Sequence, residues 1–253
     1  MWLEAPRASQ TRYTRRPRYA GGARLVARAV AVPLVLLNLK TYPESRGRQA
    51  LRLTRAAGRV ARDLGVSIAI APSALDLGAV CSIARVPVFA QHIDPVEGGQ
   101  QTGAVPADHV RSLGAAGTLL NHSERRLAAP ALERAHALAR RSGLVTVVCA
   151  GGPREAARVA ALRPDFVAIE PPDLIGGSVS VSTARPAAVS RGVAAVEGAS
   201  RGTRVLCGAG VRTRDDVAKA IELGTQGVLL ASGVARARDP ARALRSLARG
   251  LLD

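Results

Sequence analysis

The chain has 253 residues, of which 47% are apolar and only 2% aromatic, and its formal net charge is +17. This length and composition allow one large domain with a core of Ala, Val, Leu and Ile, and they do not fit a collagen-like or wholly disordered chain. The three cysteines, Cys81, Cys149 and Cys207, form no CxxC pair. They indicate neither a disulfide framework nor a zinc site, which favours a reduced, intracellular compartment, and we expect a cytoplasmic protein.

The N-terminal segment differs in composition from the rest of the chain. Residues 1–30 contain seven Arg and one Glu and show no hydrophobic periodicity. We therefore predict a basic, disordered extension over residues 1–30 and a single domain over residues 31–253. Contact of this extension with nucleic acid remains an alternative, because net charge does not distinguish among anionic partners. After residue 30 we find no clustered basic stripe with interleaved aromatic residues, the pattern that nucleic-acid binding favours.

The longest apolar tract, AVAVPLVLLNL over residues 29–39, is broken by Pro33. It is far shorter than the roughly 20 residues that span a bilayer, and no cleavage site of a signal peptide follows it. We interpret it as a buried strand and predict no membrane contact.

From Pro33 onward the chain repeats one unit: a short apolar run, a loop and a segment with helical spacing. The predicted strands cover residues 33–38, 66–71, 86–91, 117–121, 145–150, 166–170, 204–208 and 227–232. Helical patterns between and after them cover about 45–63, 74–84, 107–115, 129–142, 152–162, 184–198, 213–223 and 238–251. Eight alternating units imply a parallel sheet with right-handed crossovers that closes, so we predict an α/β fold, an eight-stranded parallel (β/α) TIM barrel. An open doubly wound sheet is the alternative, but no strand is followed by a G-x-G-x-x-G turn.

Several helix boundaries carry recognisable residues. Thr213 and the pair Asp239-Pro240 are typical helix starts, and Gly224 is a typical helix end. The third helix is expected to begin either at Asp94-Pro95 or at Pro106.

Active sites of such barrels lie at the carboxyl ends of the strands, so the residues that end each run are candidates for function. Asn38 and Lys40 are two apart after the first strand, and an extended backbone would direct both side chains to one face. Lys40 is one of only two lysines beside 34 arginines, and it can meet an anion. His122 follows the fourth strand in NHSERR, where a short helix would keep the imidazole neutral. Glu124 is either a cap of that helix or a partner of Lys40.

Glu170 ends the sixth strand and precedes the loop PPDLIGGS. It is either the ion-pair partner of a nearby Arg or a carboxylate at the barrel mouth. The loop favours the second interpretation, because two prolines stiffen its start and a double glycine loosens its end, as in a lid over a water-sensitive reaction. Small residues follow the seventh and eighth strands, in CGAG and ASG, where barrels commonly bind phosphate.

Six ordered motifs, NLKTY, FAQHIDP, TLLNHSERR, AIEPPDLIG, VLCGAGV and ELGTQGVLLASGV, resemble triosephosphate isomerases of the short archaeal type, over residues 33–253. This family is a standard example of a glutamate base paired with a neutral histidine, so the roles below follow from the resemblance. It implies that Glu170 is the base, His122 the electrophile, and Lys40 the group that stabilises enediolate and phosphate charge beside Asn38. It further implies that the phosphate rests near Ile175, Gly210, Ala231 and Ser232, and that no metal or organic cofactor is needed.

The resemblance also implies a glycolytic and gluconeogenic isomerase of triose phosphates that forms homotetramers. In these, residues 91–105 dock into a neighbouring subunit through Thr102. Two departures stand out: the family's lid commonly reads PPELIGTG, and residues 1–30 have no counterpart in it. Another phosphate-binding barrel, such as a sugar-phosphate epimerase, remains an alternative, although metal ligands or paired acids are not evident.

Overall fold

The computed structural model of the chain describes residues 30–171 and 180–253. Eight parallel strands form one sheet in the order β2-β1-β8-β7-β6-β5-β4-β3. They are β1 Leu34–Asn38, β2 Ser67–Ala71, β3 Phe89–Ala90, β4 Gly117–Leu120, β5 Val145–Ala150, β6 Phe166–Ile169, β7 Arg204–Gly208 and β8 Gly227–Leu230. The prediction of eight parallel strands is confirmed.

The sheet closes between β2 and β3 through a single bridge. Ile70 pairs in parallel with Val88, and the Ile70 N–H donates to the Pro87 carbonyl at 3.0 Å. β3 has two residues, where six were predicted over 86–91. Pro87 explains part of this shortening, because a proline has no N–H with which to extend a ladder of hydrogen bonds.

Helices follow the strands and cover the outside of the barrel. A 3₁₀ helix, Pro43–Ser45, precedes the first α-helix. The α-helices are α1 Arg48–Leu64, α2 Leu77–Ile83, α3 Ala107–Ser112, α4 Ala129–Arg141, α5 Pro153–Ala160, α6 Val181–Ala184, α7 Pro186–Ala199, α8 Arg214–Glu222, α9 Ser232–Ala235 and α10 Pro240–Arg249. None of the helices in the described ranges is long and apolar enough to cross a membrane.

Helix boundaries agree with the capping residues in most cases. Thr213 and Asp216 form a capping box on α8, and the Asp239 side chain accepts from the Arg242 N–H at the start of α10. The helix predicted over 184–198 is α7, Pro186–Ala199, and it begins at the proline. The short helix α6, which was not predicted, precedes it and ends before Arg185, because the residue before a proline is disfavoured in α-helical geometry. The third helix begins after Pro106, so the alternative start at Asp94 is wrong.

Two apolar layers result from the alternation of side chains along the strands. One set points outward to the helices, as Val35 and Leu37 do on β1. The other set, including Leu34 and Leu36, fills the barrel interior. Both phenylalanines of the chain, Phe89 and Phe166, are in this interior set, among small residues such as Ala69, Ala71 and Ala168. Residues that continue this inward series past a strand's last pair therefore emerge at the carboxyl end of the barrel.

His136 is a buried polar group on α4 that lies outside the barrel interior. Its Nε2 atom has no hydrogen-bond partner among the described residues. Burial, followed by the charge of Arg140, lowers the pKa of His136 below its ordinary value of 6.5, although Asp165 acts in the opposite direction. Below about pH 6.5 the unfolded chain takes up a proton that the folded chain excludes, so the stability that depends on neutral His136 is lost as the pH falls.

We expect His136→Leu to raise the free energy of unfolding at pH 7 by about 1 kcal/mol, because it removes an unsatisfied buried polar atom. We also expect the variant to lose less stability than the parent between pH 7 and pH 5. Urea unfolding at both pH values measures this, with His109→Gln, an exposed histidine on α3, as the control. Equal pH dependence in the parent and His136→Leu would contradict the role of His136.

Candidate active site

A pocket lies at the carboxyl ends of the strands, and it collects the residues that the sequence singled out. Its lining comprises Asn38, Lys40, Tyr42, His122, Glu170, Ala209, Gly210, Val211, Leu229, Leu230, Ala231 and Ser232. Every candidate residue within the described ranges is therefore brought together. Ile175 lies outside the described residues, as does most of the loop proposed as a lid.

Glu170 enters the pocket because it continues the inward series of β6. Phe166 and Ala168 face the barrel interior, and Glu170 is the next residue of the same parity. Its backbone N–H donates to the Ala150 carbonyl at 2.8 Å, which extends the pairing with β5 by one residue. The residue is only 6% exposed, and its Oε2 atom has no hydrogen-bond partner among the described residues. A buried, unpaired carboxylate oxygen is available to accept a proton from a bound molecule.

Two neighbours shape the space around Glu170. Gly208 ends β7, and a Cβ atom there would lie 2.5 Å from Glu170 Cγ and 3.0 Å from its Oε1. The thiol of Cys149 on β5 lies beside the same carboxylate. Burial, and then the charge of Glu170, raises the pKa of Cys149 well above its ordinary value, so the thiol stays protonated.

His122 presents one defined ring nitrogen to the pocket. Its Nδ1 atom accepts the Glu124 N–H at 3.2 Å, so the proton of the neutral ring lies on Nε2. Nε2 lies 3.6 Å from Glu170 Oε2. That separation is too long for a hydrogen bond, which leaves both groups free to contact a substrate.

The expected helix after His122 does not form. Residues 123–124 make a single turn, closed by the Arg125 N–H donating to the His122 carbonyl at 2.8 Å. The reason for expecting a neutral imidazole was therefore wrong. The neutral tautomer is set by the Glu124 N–H bond to Nδ1 and not by a helix dipole.

The backbone before His122 is held by a buried network. Asn121 has a positive φ of 58° and is 3% exposed. Its Oδ1 accepts the Leu127 N–H at 3.0 Å, and its Nδ2 donates to the Cys149 carbonyl at 3.0 Å and to Glu155 Oε1 at 3.3 Å. Burial raises the pKa of Glu155, but its bonds with Arg126 and the Gly151 N–H outweigh that effect and hold the pKa below the ordinary value. The ionised Glu155 thus fixes the two loops that carry His122 and follow β5.

Lys40 lines the pocket, but its backbone conformation is not the extended one that was predicted. The strand ends at Asn38, and Lys40 has a positive φ of 48°, so the extended backbone does not persist to Lys40. Asn38 Oδ1 accepts the Lys40 N–H at 2.9 Å, and Gln91 Nε2 donates to the Lys40 carbonyl at 3.0 Å, which together hold this turn. The ammonium group donates to Glu124 Oε1 at 2.5 Å. Of the two roles considered for Glu124, the structure shows the partner of Lys40.

Small residues from the loops after β7 and β8 also line the pocket. Ala209 and Gly210 both have positive φ values, 70° and 71°. Such a φ costs an L residue about 1–2 kcal/mol, so this turn after β7 is held by its surroundings, in part by the Val181 N–H donating to the Ala209 carbonyl at 3.2 Å. Ser232 begins α9, where the first N–H groups have no acceptor within the helix. A Cβ on Gly233 would lie 3.2 Å from the Val211 carbonyl, so the loops after β7 and β8 pack closely.

The pocket contains no metal centre that the described residues could supply. Within residues 30–171 and 180–253, no three His, Cys, Asp or Glu side chains are grouped as metal ligands. The ionisable groups that converge are Lys40, His122, Glu124 and Glu170.

Comparison with known proteins identifies the family. Residues 33–247 match the sequence profile described as triosephosphate isomerase. A triosephosphate isomerase of Methanothermus fervidus is 44% identical over 85% of this chain and 97% of its own length, and that of Archaeoglobus fulgidus is 46% identical over 87% and 98%. The chain belongs to the triosephosphate isomerase family. A crystal structure of triosephosphate isomerase from Bartonella henselae, 20% identical, superposes with a TM-score of 0.67 over 87% of this chain and 99% of its own, which supports the fold.

Membership of the triosephosphate isomerase family argues against the sugar-phosphate epimerase alternative. It also directs attention to pocket residues that sequence reasoning missed. Tyr42 stands in the NLKTY motif, two residues after Lys40, and that motif could have revealed it. Gly208 and Cys149 were not assigned a role, because their contacts with Glu170 depend on the order of β5, β6 and β7 in the sheet.

We expect Gly208→Ala to lower isomerase kcat/KM by about 100-fold, because the new Cβ displaces the Glu170 carboxylate and errors of about 1 Å in placing a catalytic group cost that much. Steady-state kinetics measures the effect. Gly198→Ala is the control, since a Cβ on this exposed α7 glycine meets nothing within 4 Å. Parental activity in Gly208→Ala would show that the position of Glu170 tolerates displacement.

Proposed function

We propose that this chain interconverts dihydroxyacetone phosphate and D-glyceraldehyde 3-phosphate, with Glu170 as base, His122 as electrophile and Lys40 as the stabiliser of negative charge. One observation carries the proposal. The unpaired Glu170 Oε2 and the proton-bearing His122 Nε2 lie 3.6 Å apart in a pocket that also contains Lys40. The two triose phosphates differ by a proton shift between adjacent carbons, and this pair provides a base and a hydrogen-bond donor for that shift.

In the first step Glu170 removes a proton from the carbon next to the substrate carbonyl. Charge then develops on the carbonyl oxygen, and the His122 Nε2–H and the Lys40 ammonium stabilise the resulting enediolate. The proton of the neighbouring hydroxyl group moves to the former carbonyl oxygen, and protonated Glu170 returns its proton to the neighbouring carbon, which completes the isomerisation. No electron transfer occurs, and we propose that the reaction needs no cofactor or metal.

We propose that the phosphate group binds on the side of the pocket formed by the loops after β7 and β8. Gly210, Ala231 and Ser232 line that side, and we propose that their backbone N–H groups contact the phosphate, with Asn38 and Lys40 at its edge. Ile175 remains an expectation from the family resemblance, because it lies outside the described residues. Burial of Glu170 beside a dianion is unfavourable by itself, and the Lys40 ammonium offsets part of that repulsion.

The wider biological setting is also a proposal. An isomerase of triose phosphates serves glycolysis and gluconeogenesis, and we propose a cytoplasmic location, which the three free cysteines support. Residues 1–30 are proposed as an extension to a barrel domain over 31–253, and residues 1–29 lie outside the described ranges. Contact of that extension with nucleic acid stays a secondary hypothesis that rests on its arginines.

We expect the purified chain to isomerise D-glyceraldehyde 3-phosphate rapidly, and Glu170→Gln to lower kcat by about 100- to 10,000-fold, the usual contribution of a general base. A coupled assay in both directions measures this. Glu133→Gln, which removes an exposed carboxylate on α4, is the control and should retain parental activity. A folded parent without activity on triose phosphates would overturn the assignment of substrate, and an active Glu170→Gln would overturn the role of Glu170.

We further propose that the chain forms a homotetramer, in which residues 91–105 of each subunit dock against a neighbour. Two hydrogen bonds between Asp94 and Val105 join the two ends of this loop. Asp94 Oδ2 accepts the Val105 N–H at 2.8 Å, and the Asp94 N–H donates to the Val105 carbonyl at 3.0 Å. Residues 99–103 at its tip, including Thr102, are exposed in the single chain. A rigid base and an exposed tip suit a loop that inserts into a partner.

We expect sedimentation equilibrium to give four times the chain mass of 26.2 kDa. Thr102→Arg is expected to shift the protein to smaller species, because it adds bulk and charge at the docking tip. Ser112→Arg, at an exposed position that ends α3, adds the same charge away from the loop and should leave the mass unchanged. A parent that sediments as a monomer or dimer would refute the tetramer.

A further inference from the structure

Helix α1 carries a stripe of five arginines along one exposed face. Arg48, Arg52, Arg55, Arg59 and Arg62 are all exposed, and their spacing of four and three residues places them along one face. The opposite face of the helix packs into the core through Leu53, Ala57 and Val60. The expectation of no clustered basic stripe after residue 30 is therefore wrong, although no aromatic residue accompanies this one.

The second half of this stripe borders a groove. The groove encloses about 300 Å³ and is lined by Thr54, Arg55, Gly58, Arg59, Arg62, Ile83 and Arg85. Gly58 lets the segment after α2 approach, because a Cβ at Gly58 would lie 3.4 Å from the Cβ of Arg85. Four arginines from two segments of the chain thus line the groove.

Few acids compensate these charges. Arg62 donates to Asp63 at 2.8 Å, and Asp63 is shared with Arg245 of α10 at 2.7 Å. The side chains of Arg55, Arg59 and Arg85 have no hydrogen bond or ion pair to any other residue of the ranges 30–171 and 180–253. By contrast, many other exposed arginines are paired, among them Arg141 with Glu97 and Arg214 with Asp253. Like charges one helical turn apart repel one another, so an anion bound among them would stabilise the helix.

The groove lies away from the catalytic pocket. Arg85 precedes β3, and α1 runs from the carboxyl end of β1 toward the amino end of β2, so its second half approaches the amino-terminal face of the barrel. The catalytic residues lie at the opposite, carboxyl ends of the strands. An anion in the groove is therefore not the substrate phosphate of the reaction.

We propose that this groove is a second anion site, which binds a small molecule carrying two or more linked phosphate groups through Arg55, Arg59, Arg62 and Arg85. Guanidinium groups bind phosphate oxygens in a bidentate manner. Arg55 and Arg62 are about 10.5 Å apart along the helix axis at 1.5 Å per residue, which exceeds the size of one phosphate group. A volume of about 300 Å³ suits a small molecule. The lining offers no aromatic ring on which a nucleic-acid base would stack.

Isothermal titration of the whole protein with inorganic tripolyphosphate tests the site. The test variant, Arg59→Gln with Arg85→Gln, keeps the aliphatic stems but removes two charges. The matched control, Arg242→Gln with Arg249→Gln, removes two exposed charges from α10. We expect the groove variant to weaken binding by at least about 10-fold, the usual effect of losing a charged hydrogen bond, and the control by less than about 2-fold.

Two further measurements separate the groove from the catalytic pocket. Competitive inhibition of isomerisation by tripolyphosphate reports binding in the pocket, and its inhibition constant should be the same in the parent and both double variants. Arg59→Lys keeps the charge but loses the planar fork, and we expect it to bind with intermediate affinity. The calorimetric result does not require the isomerase assignment, so the failure of either proposal is seen separately.

A nucleoside triphosphate distinguishes the two sources of such a ligand. Binding equal to that of tripolyphosphate would support recognition of the phosphate chain alone, and tighter binding would support a nucleotide as the ligand. Equal weakening by both double variants would show only a general effect of charge and would overturn the site. Binding of a single-stranded oligonucleotide without binding of tripolyphosphate would overturn it in favour of a nucleic-acid surface.

Discussion

The closed barrel imposes one constraint on which the site depends: side chains along each strand alternate strictly between the interior and the helices. Leu34, Leu36 and Asn38 form one inward series on β1, and Phe166, Ala168 and Glu170 form another that runs through β6. In each series the last member is polar and lies where the apolar interior ends. A one-residue shift in the register of β6 would turn Glu170 toward the helices, so the register that packs the core also places this carboxylate in the pocket.

The cost of that placement is a buried carboxylate oxygen without a hydrogen bond among the described residues. A buried carboxylate oxygen that lacks a hydrogen bond destabilises a fold, and here the surrounding residues hold it in that position. Gly208 leaves the necessary space on one side of the carboxylate, and the thiol of Cys149 lies beside it on another. Positive φ values at Lys40, Asn121 and Ala209 are further unfavourable features near the pocket. Each of these strained turns lies at the end of a strand that borders the pocket.

The sequence predicts the strands well because buried parallel strands are short apolar runs, and the pocket residues because they follow those runs. Contacts between loops are harder to predict from the sequence. The hydrogen bond from the Glu124 N–H to His122 Nδ1 depends on a tight turn. The sequence NHSERR is equally compatible with such a turn and with the start of a helix. The network of Asn121, Arg126 and Glu155 joins residues up to 34 positions apart, and no local pattern reports it. The start of α7 at Pro186, two residues after the predicted start, follows from the proline and could be predicted from the sequence alone.

The net positive charge of the chain offsets, at long range, the negative charge of the acidic side chains in the pocket. The two carboxylates near the reaction centre, Glu124 and Glu170, would repel a dianionic phosphate, and Lys40 alone does not outweigh them. A net charge of +17 over the whole chain supplies a positive long-range field that favours the approach of such a substrate. That field is screened within about 8 Å at physiological salt, so it affects encounter more than bound geometry. In the proposed reaction, short-range hydrogen bonds from Lys40 and His122 then act on the bound substrate, whereas the arginines of α1 are proposed to bind other anions.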